Sequence, residues 1–333
     1  MSNVKNELKR LEQEIESIRQ RVGVSAGSRQ LNLYGSFRPV FTLENNGNDT
    51  VLDVRDGLSR FGLAGGTQVL ESSQMFFSGE WNVKLAEDGR IEGTRLAFVG
   101  IKGILGRLTL GKQRPPHYRL IAEHVDIFNH ASSPHGYYNQ GPFFVDNMTS
   151  YHYQLQGLTI QAGFRADGAT GNNREDMINA GLGFNHKNLY VGVAYLRMVA
   201  PSTGVRGPNE EGDETESIAL ASYIHLDTLY LAAAYQGGSQ SPEGGGDLDV
   251  VTLDVSMAYA LAHRYKIKAG LFIYDDGISG RGSNKNKGVN LTLEHRVADN
   301  VRIYGEYLVK YFDQRDLVNA ISFGFSYDFD AEL

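Results

Sequence analysis

The chain has 333 residues, 41% of them hydrophobic and 21% charged, with 39 glycines, 18 tyrosines, 16 phenylalanines and no cysteine. A formal net charge of -7 without any block of Lys or Arg disfavours nucleic acid as a partner, and the missing thiols exclude disulfides and thiolate metal sites. No apolar run approaches the roughly 18 to 20 residues of a membrane-crossing helix, whereas strands that alternate apolar and polar residues are compatible with the mean hydropathy of -0.32.

The first element is a predicted helix over 1–23. Val4, Leu8, Leu11, Ile15, Ile18 and Val22 recur at steps of four and three among polar residues, and Gly23 closes the run. This heptad seam, with Leu8, Ile15 and Val22 at a and Val4, Leu11 and Ile18 at d, permits a trimeric coiled coil. Its short length makes it marginal alone, and an amphipathic helix lying on its own domain is the competing reading. The start, Met1 to Lys5, lacks the apolar core of a secretory signal, so an exported protein would be present in its mature form with an added Met. A linker over 24–30 follows.

From Leu31 to Phe329 the chain reads as about sixteen strands, in the even-numbered range of an outer-membrane barrel. Upward strands are expected near Leu31, Gln74, Leu105, Leu158, Leu189, Leu229, Tyr265 and Val301. Their downward partners are expected near Ser59, Gly93, Asn147, Asp176, Thr215, Leu248, Gly288 and Asp316. Long polar connections follow the upward strands and brief turns such as Leu226-Asp227-Thr228 follow the downward ones, an asymmetry that puts the long rim outside and both termini in the periplasm.

Facing follows from alternation. In the last strand Leu317, Ile321, Phe323, Phe325, Tyr327 and Phe329 face lipid, while Asp316, Ser322, Ser326 and Asp328 face water. Ile303, Tyr307, Val309 and Tyr311 likewise oppose Arg302, Tyr304, Glu306 and Lys310. Only Ile218 to Leu226, with Ala219, Ala221, Tyr223 and His225, leaves the facing open.

Several of these segments resemble the trimeric general porins of Gram-negative bacteria. Leu33-Tyr34-Gly35 looks like that family's first strand and Ser59 to Gly65 like its second. Thr94 to Ile101 and Leu108 to Gln113 look like its fourth and fifth. The resemblance implies an all-β, sixteen-stranded transmembrane barrel whose long third loop, here 114–146, folds back into the lumen. It further implies a basic wall, Arg60 and Arg95 with Arg38, facing loop acids Glu123, Asp126 and Asp146. This sequence departs from the family pattern at Ser36, where a basic residue is common, at Asn147, where the family has an arginine, and in lacking the acidic Pro-Glu-Phe-Gly loop motif. It also continues past Phe329 as an extension over 330–333. The leading helix is similar to the periplasmic extension of some dicarboxylate-selective channels.

Four histidines fall in the long loop, His117, His124, His130 and His135, but their spacings match no metal signature. No nucleophile elbow, zinc-protease motif or phosphate loop occurs, so an enzyme is not expected and neither metal nor cofactor is required. The expected function is a water-filled outer-membrane channel for passive diffusion of small hydrophilic solutes and ions. Its expected partners are membrane lipids and two further copies of itself. A channel selective for small anions such as dicarboxylates, and a plugged structural or adhesive barrel, are the alternatives.

Overall fold

A computed structural model describes residues 30–129, 141–166, 177–199, 214–241, 245–280 and 282–332. The predicted coiled-coil helix, with Val4, Leu8, Leu11, Ile15, Ile18 and Val22, lies outside the described residues, as does the linker up to 29.

The described chain forms one antiparallel sheet closed on itself. Its strands are β1 (Gln30–Phe37), β2 (Pro39–Asn45), β3 (Thr50–Asp56), β4 (Arg60–Leu70), β5 (Ser73–Val83), β6 (Ile91–Gly103), β7 (Gly106–Gln113), β8 (Val145–Leu155) and β9 (Leu158–Arg165). They continue as β10 (Met177–His186), β11 (Leu189–Val199), β12 (Glu214–Leu226), β13 (Leu229–Ser241), β14 (Leu248–Ala262), β15 (Tyr265–Asp275), β16 (Asn286–Ala298), β17 (Val301–Phe312) and β18 (Val318–Glu332). β1 and β2 are one stave broken at Arg38, since β18 pairs with both. β3 and β4 are a second stave broken at Gly57 to Ser59, pairing with β2 and β1 respectively. The eighteen segments therefore make a sixteen-stave barrel, closed by β1 against β18, in which no sheet edge is left to face lipid.

Each stave alternates as the side-chain period of two demands. Phe323 is 63% exposed on the outer face while its neighbour Ser322 is 3% exposed inside. On β14, Tyr259 and Leu261 point outward, and Thr252, Asp254 and Ser256 are buried inside. A one-residue slip would put inward charges into hydrocarbon at about 2–4 kcal/mol per Lys or Arg near mid-bilayer, which fixes the register. One rim is made of tight turns, and at Gln156-Gly157 and Lys187 the backbone adopts the left-handed φ values (48°, 89° and 53°) that match hairpin twist. The other rim carries the long connections.

Three details differ from the sequence expectation. The second stave starts at Thr50, nine residues before Ser59, because Thr50 to Asp56 pairs with β2, where Arg55 bridges Glu44 and Asp53. Asp330 to Glu332 are not a separate extension, because they pair with Tyr34, Leu33 and Asn32 inside the sheet. Leu96 and Phe98, which strict alternation with an inward Arg95 would turn to lipid, face inward with it, since register shifts between Glu80 and Asn82 break the alternation there. Phe98 accordingly meets the inward Phe76 edge-on at 6.2 Å, while Val99 and Ile101 are the exposed outer residues.

β12, whose facing the sequence leaves open, turns Ile218 and Leu220 outward and buries Ala219 and Ala221 within. The inner side here is apolar because it is covered by a loop, which removes the contrast on which alternation depends.

Candidate pore constriction

The long connection between β7 and β8 enters the lumen through a short helix, α1 (Pro116–Leu120), and a 3-10 turn over Ala122–His124. It crosses the inner wall from β9 to β17, held by wall side chains that satisfy backbone groups a non-repeating segment would leave unpaired. Asn179 accepts from the His117 amide at 2.5 Å. Tyr190 donates to the Leu120 carbonyl at 2.9 Å, Tyr230 to that of His124 at 2.7 Å, and Ser256 to that of Val125 at 2.7 Å.

Between these bonds Leu120, Ile121 and Val125 pack on Ala194, Ala219, Ala221, Ala232 and Ala234. Burial of three aliphatic side chains contributes on the order of 1.5–3 kcal/mol each. Small wall residues are required for the close approach, since a Cβ at Gly192 would sit 2.8 Å from the Leu120 carbonyl oxygen.

The far end of the described loop is held by charge. Asn129 accepts from Lys268 Nζ at 3.0 Å and donates to Glu294 Oε2 at 2.8 Å, while Lys268 and Glu294 pair at 2.9 Å. Its amide also reaches Glu306 Oε2 at 3.4 Å. Lys268, Glu294 and Glu306 are each 6% exposed or less, so this clamp satisfies groups that are costly to leave unpaired.

The opposite wall bears the arginines. Arg95 Nε meets Glu80 Oε1 at 2.5 Å, and Arg60 Nε lies 3.6 Å from Glu80 Oε2. Arg38 sits in the break between β1 and β2, where its carbonyl accepts from the Gly57 amide at 2.6 Å and its amide donates to Ser59 Oγ at 2.7 Å. Its guanidinium reaches Asp328 at 3.9 Å, and Arg302 pairs with the same carboxylate at 2.8 Å. Arg302 also lies 4.0 Å from Glu294, which Lys268 already holds, so across this wall the cations Arg38, Arg60, Arg95, Arg302 and Lys268 outnumber the carboxylates Glu80, Asp328 and Glu294.

Loop and wall are joined by stacked cations. Arg95 at 4.8 Å and Arg114 at 4.6 Å both contact the Phe144 ring, and Arg114 also covers Tyr118 at 4.0 Å. The loop carboxylates are disposed differently from one another. Asp146 pairs with Arg165 at 3.3 Å at the loop root, and Asp126 accepts from Tyr118 at 2.7 Å, whereas Glu123 is exposed on the 3-10 turn. The immediate partners of Arg60, Arg95 and Arg38 are therefore Glu80 and Asp328 on the wall, and none of the three loop acids forms an ion pair with them among the described residues.

Burial pushes His117 down to about 3 and His124 down to about 4, so both are neutral in the docked loop. His124 lies 4.1 Å from the Tyr190 ring and 5.0 Å from that of Tyr223. Burial, followed by the nearby Asp126, raises the Tyr118 phenol. His130 and His135 lie outside the described residues. The sequence reading missed Glu80, the Asn129 clamp and the small-residue seat. The run Ala232-Ala233-Ala234 was the one available signal, marking a strand too narrow-sided to line open water.

A closed sixteen-stave barrel with an aliphatic exterior and a lumen narrowed by an inward loop defines an outer-membrane β-barrel of the pore-forming class. The family model described as Gram-negative porin matches residues 16–316, and the chain belongs to that family, whose place is the bacterial outer membrane. Outer membrane protein U of Vibrio vulnificus (strain CMCP6) is 23% identical over 172 residues, covering 52% of this chain. The matched region spans 50% of that relative's length. The anion-selective porin from Comamonas acidovorans superposes with a TM-score of 0.77 at 14% identity, covering 91% of this chain and 100% of that one. The in-vitro folded trimer form of OmpT, an outer membrane protein of Vibrio cholerae, does so with a TM-score of 0.73 at 16% identity, covering 91% and 100%.

Proposed function

We propose that the protein is a passive pore, through which small hydrophilic solutes and ions diffuse down their gradients past a waist between loop 114–146 and the arginine wall. The single observation that carries this reading is the loop seat: the loop is fastened to β9–β17, leaving the β1–β6 wall with Arg38, Arg60 and Arg95 to line the remaining lumen. Solutes are screened there by size, and by charge through the excess of guanidinium over carboxylate, which a low-dielectric tube amplifies. Glu123, Asp126 and Asp146 shape the field from the loop side. The pathway involves no catalytic step or cofactor.

The anion-selective relative and the surplus of wall arginine favour a second reading, a channel preferring small anions such as dicarboxylates. The trimeric relative supports a homotrimer. In it the heptad seam Val4, Leu8, Leu11, Ile15, Ile18 and Val22 would join the chains beneath the membrane as helix 1–23, tethered by 24–30 to the barrel. Liposome swelling tests the pore. Proteoliposomes should admit small sugars at rates that fall steeply with solute size, and size-independent exclusion of every sugar would contradict a diffusion pathway.

A further inference from the structure

The inner face of β5 to β9 carries one row of side chains fixed by register. Gln74 is opposite Lys102, Lys102 opposite Arg107, Arg107 opposite His152 and His152 opposite Gln161. Their chain neighbours Ile101, Leu108, Tyr151 and Ile160 are exposed on the outside, so alternation turns this row into the lumen. Lys102 and Arg107 each stand one residue from the strand ends that meet at Ile104-Leu105, which puts the row toward the tight-turn rim.

Arg119 joins it from the loop helix. Burial and then the charge of Arg107 lower the Arg119 guanidinium from its ordinary value, and both guanidiniums act on His152. The row contains no carboxylate. Among the described residues Lys102, Arg107 and Arg119 form no ion pair, and Glu123 acts on Arg119 without reaching ion-pair distance. His152 Nδ1 is buried without a hydrogen-bond partner. At the constriction, by contrast, the wall guanidiniums already hold Glu80 and Asp328.

Three cations without an ion-pair partner among the described residues, at the mouth of a low-dielectric tube, favour an anion with more than one charge. Two guanidiniums offer forked donors suited to paired oxygens. Resting on the pore reading, we propose that Lys102, Arg107, His152 and Arg119 form a second anion station that holds a small dianion, orthophosphate or a short dicarboxylate, at the tight-turn mouth.

The test uses the full-length protein in planar bilayers at low KCl, titrated with inorganic phosphate and, separately, with succinate, alongside calorimetric titration of the detergent-solubilised protein. At least one dianion should block the current, and which one does so identifies the class. Arg107→Gln, which orphans no carboxylate, should weaken block and binding about tenfold, and raising KCl to about 1 M should weaken both as the Debye length shrinks to about 3 Å. Arg119→Gln should act in the same direction; since it can also loosen the loop, Arg107→Gln decides. Current without dianion block or heat of binding, or equal block in wild type and Arg107→Gln, overturns the station. Binding without any current would contradict the pore reading and leave the station standing.

Discussion

Arg95 and Glu80 meet at 2.5 Å across adjacent staves, and that contact sets the charge of the waist. Glu80 also holds Arg60 at 3.6 Å, so a single carboxylate offsets two guanidiniums. Glu80→Gln should therefore move the reversal potential in a salt gradient toward anions, and Arg60→Gln with Arg95→Gln should move it toward cations. Shifts of the same sign in both variants would remove this triad from the selectivity mechanism.

Asn129 links the loop to Lys268, Glu294 and Glu306 at once. Asn129→Ala leaves buried polar groups short of partners, at about 1–3 kcal/mol. The barrel itself should remain folded, with an unchanged heat-induced gel shift, while single-channel current becomes noisier as the loop leaves the wall more often. Current as quiet as wild type would mean that the apolar seat alone holds the loop.

Acid should loosen the same loop. His117 and His124 sit at about 3 and about 4 when docked, and on release they regain the ordinary value near 6.5. The docked value is the lower one, so docking has its full stability above about pH 6.5 and loses about 1.4 kcal/mol per histidine per unit as pH falls toward those values. Current noise should rise between about pH 7 and about pH 4.5, and His117→Leu with His124→Phe should flatten that dependence. An identical pH profile in the variant would place the acid response elsewhere.

Deleting Ser2 to Val22 should weaken trimers in detergent without preventing insertion. Under three heptads contributes only marginal helix stability, and contact between barrels would supply most of the association. Gel mobility of unheated samples reads the outcome, and monomers that no longer insert would show that the segment is needed for assembly itself.

The barrel was legible because its signal is local. Ile321, Phe323 and Phe325 alternate with Ser322 and Ser326 inside one short window, and that contrast gives both strand and facing. It failed where the inner face is dry, as at Ala219 and Ala221 beneath Leu120, and where a bulge broke the period beside Arg95. The site's chemistry was less legible because its partners are brought together by closure of the wall. Ser36 donates to Asp328 across 292 residues of chain, and no spacing rule connects them. Arg60 and Arg95 could be picked out as pore residues, but their carboxylate on β5 could not.

The central claim is that the closed wall encloses a continuous aqueous path past the seated loop. Single-channel recording of the purified full-length protein in planar bilayers tests it most directly. The account predicts stepwise ohmic conductance in groups of three substeps, each with a reversal potential that responds to Glu80→Gln; barrels that insert but stay electrically silent at every voltage would contradict it.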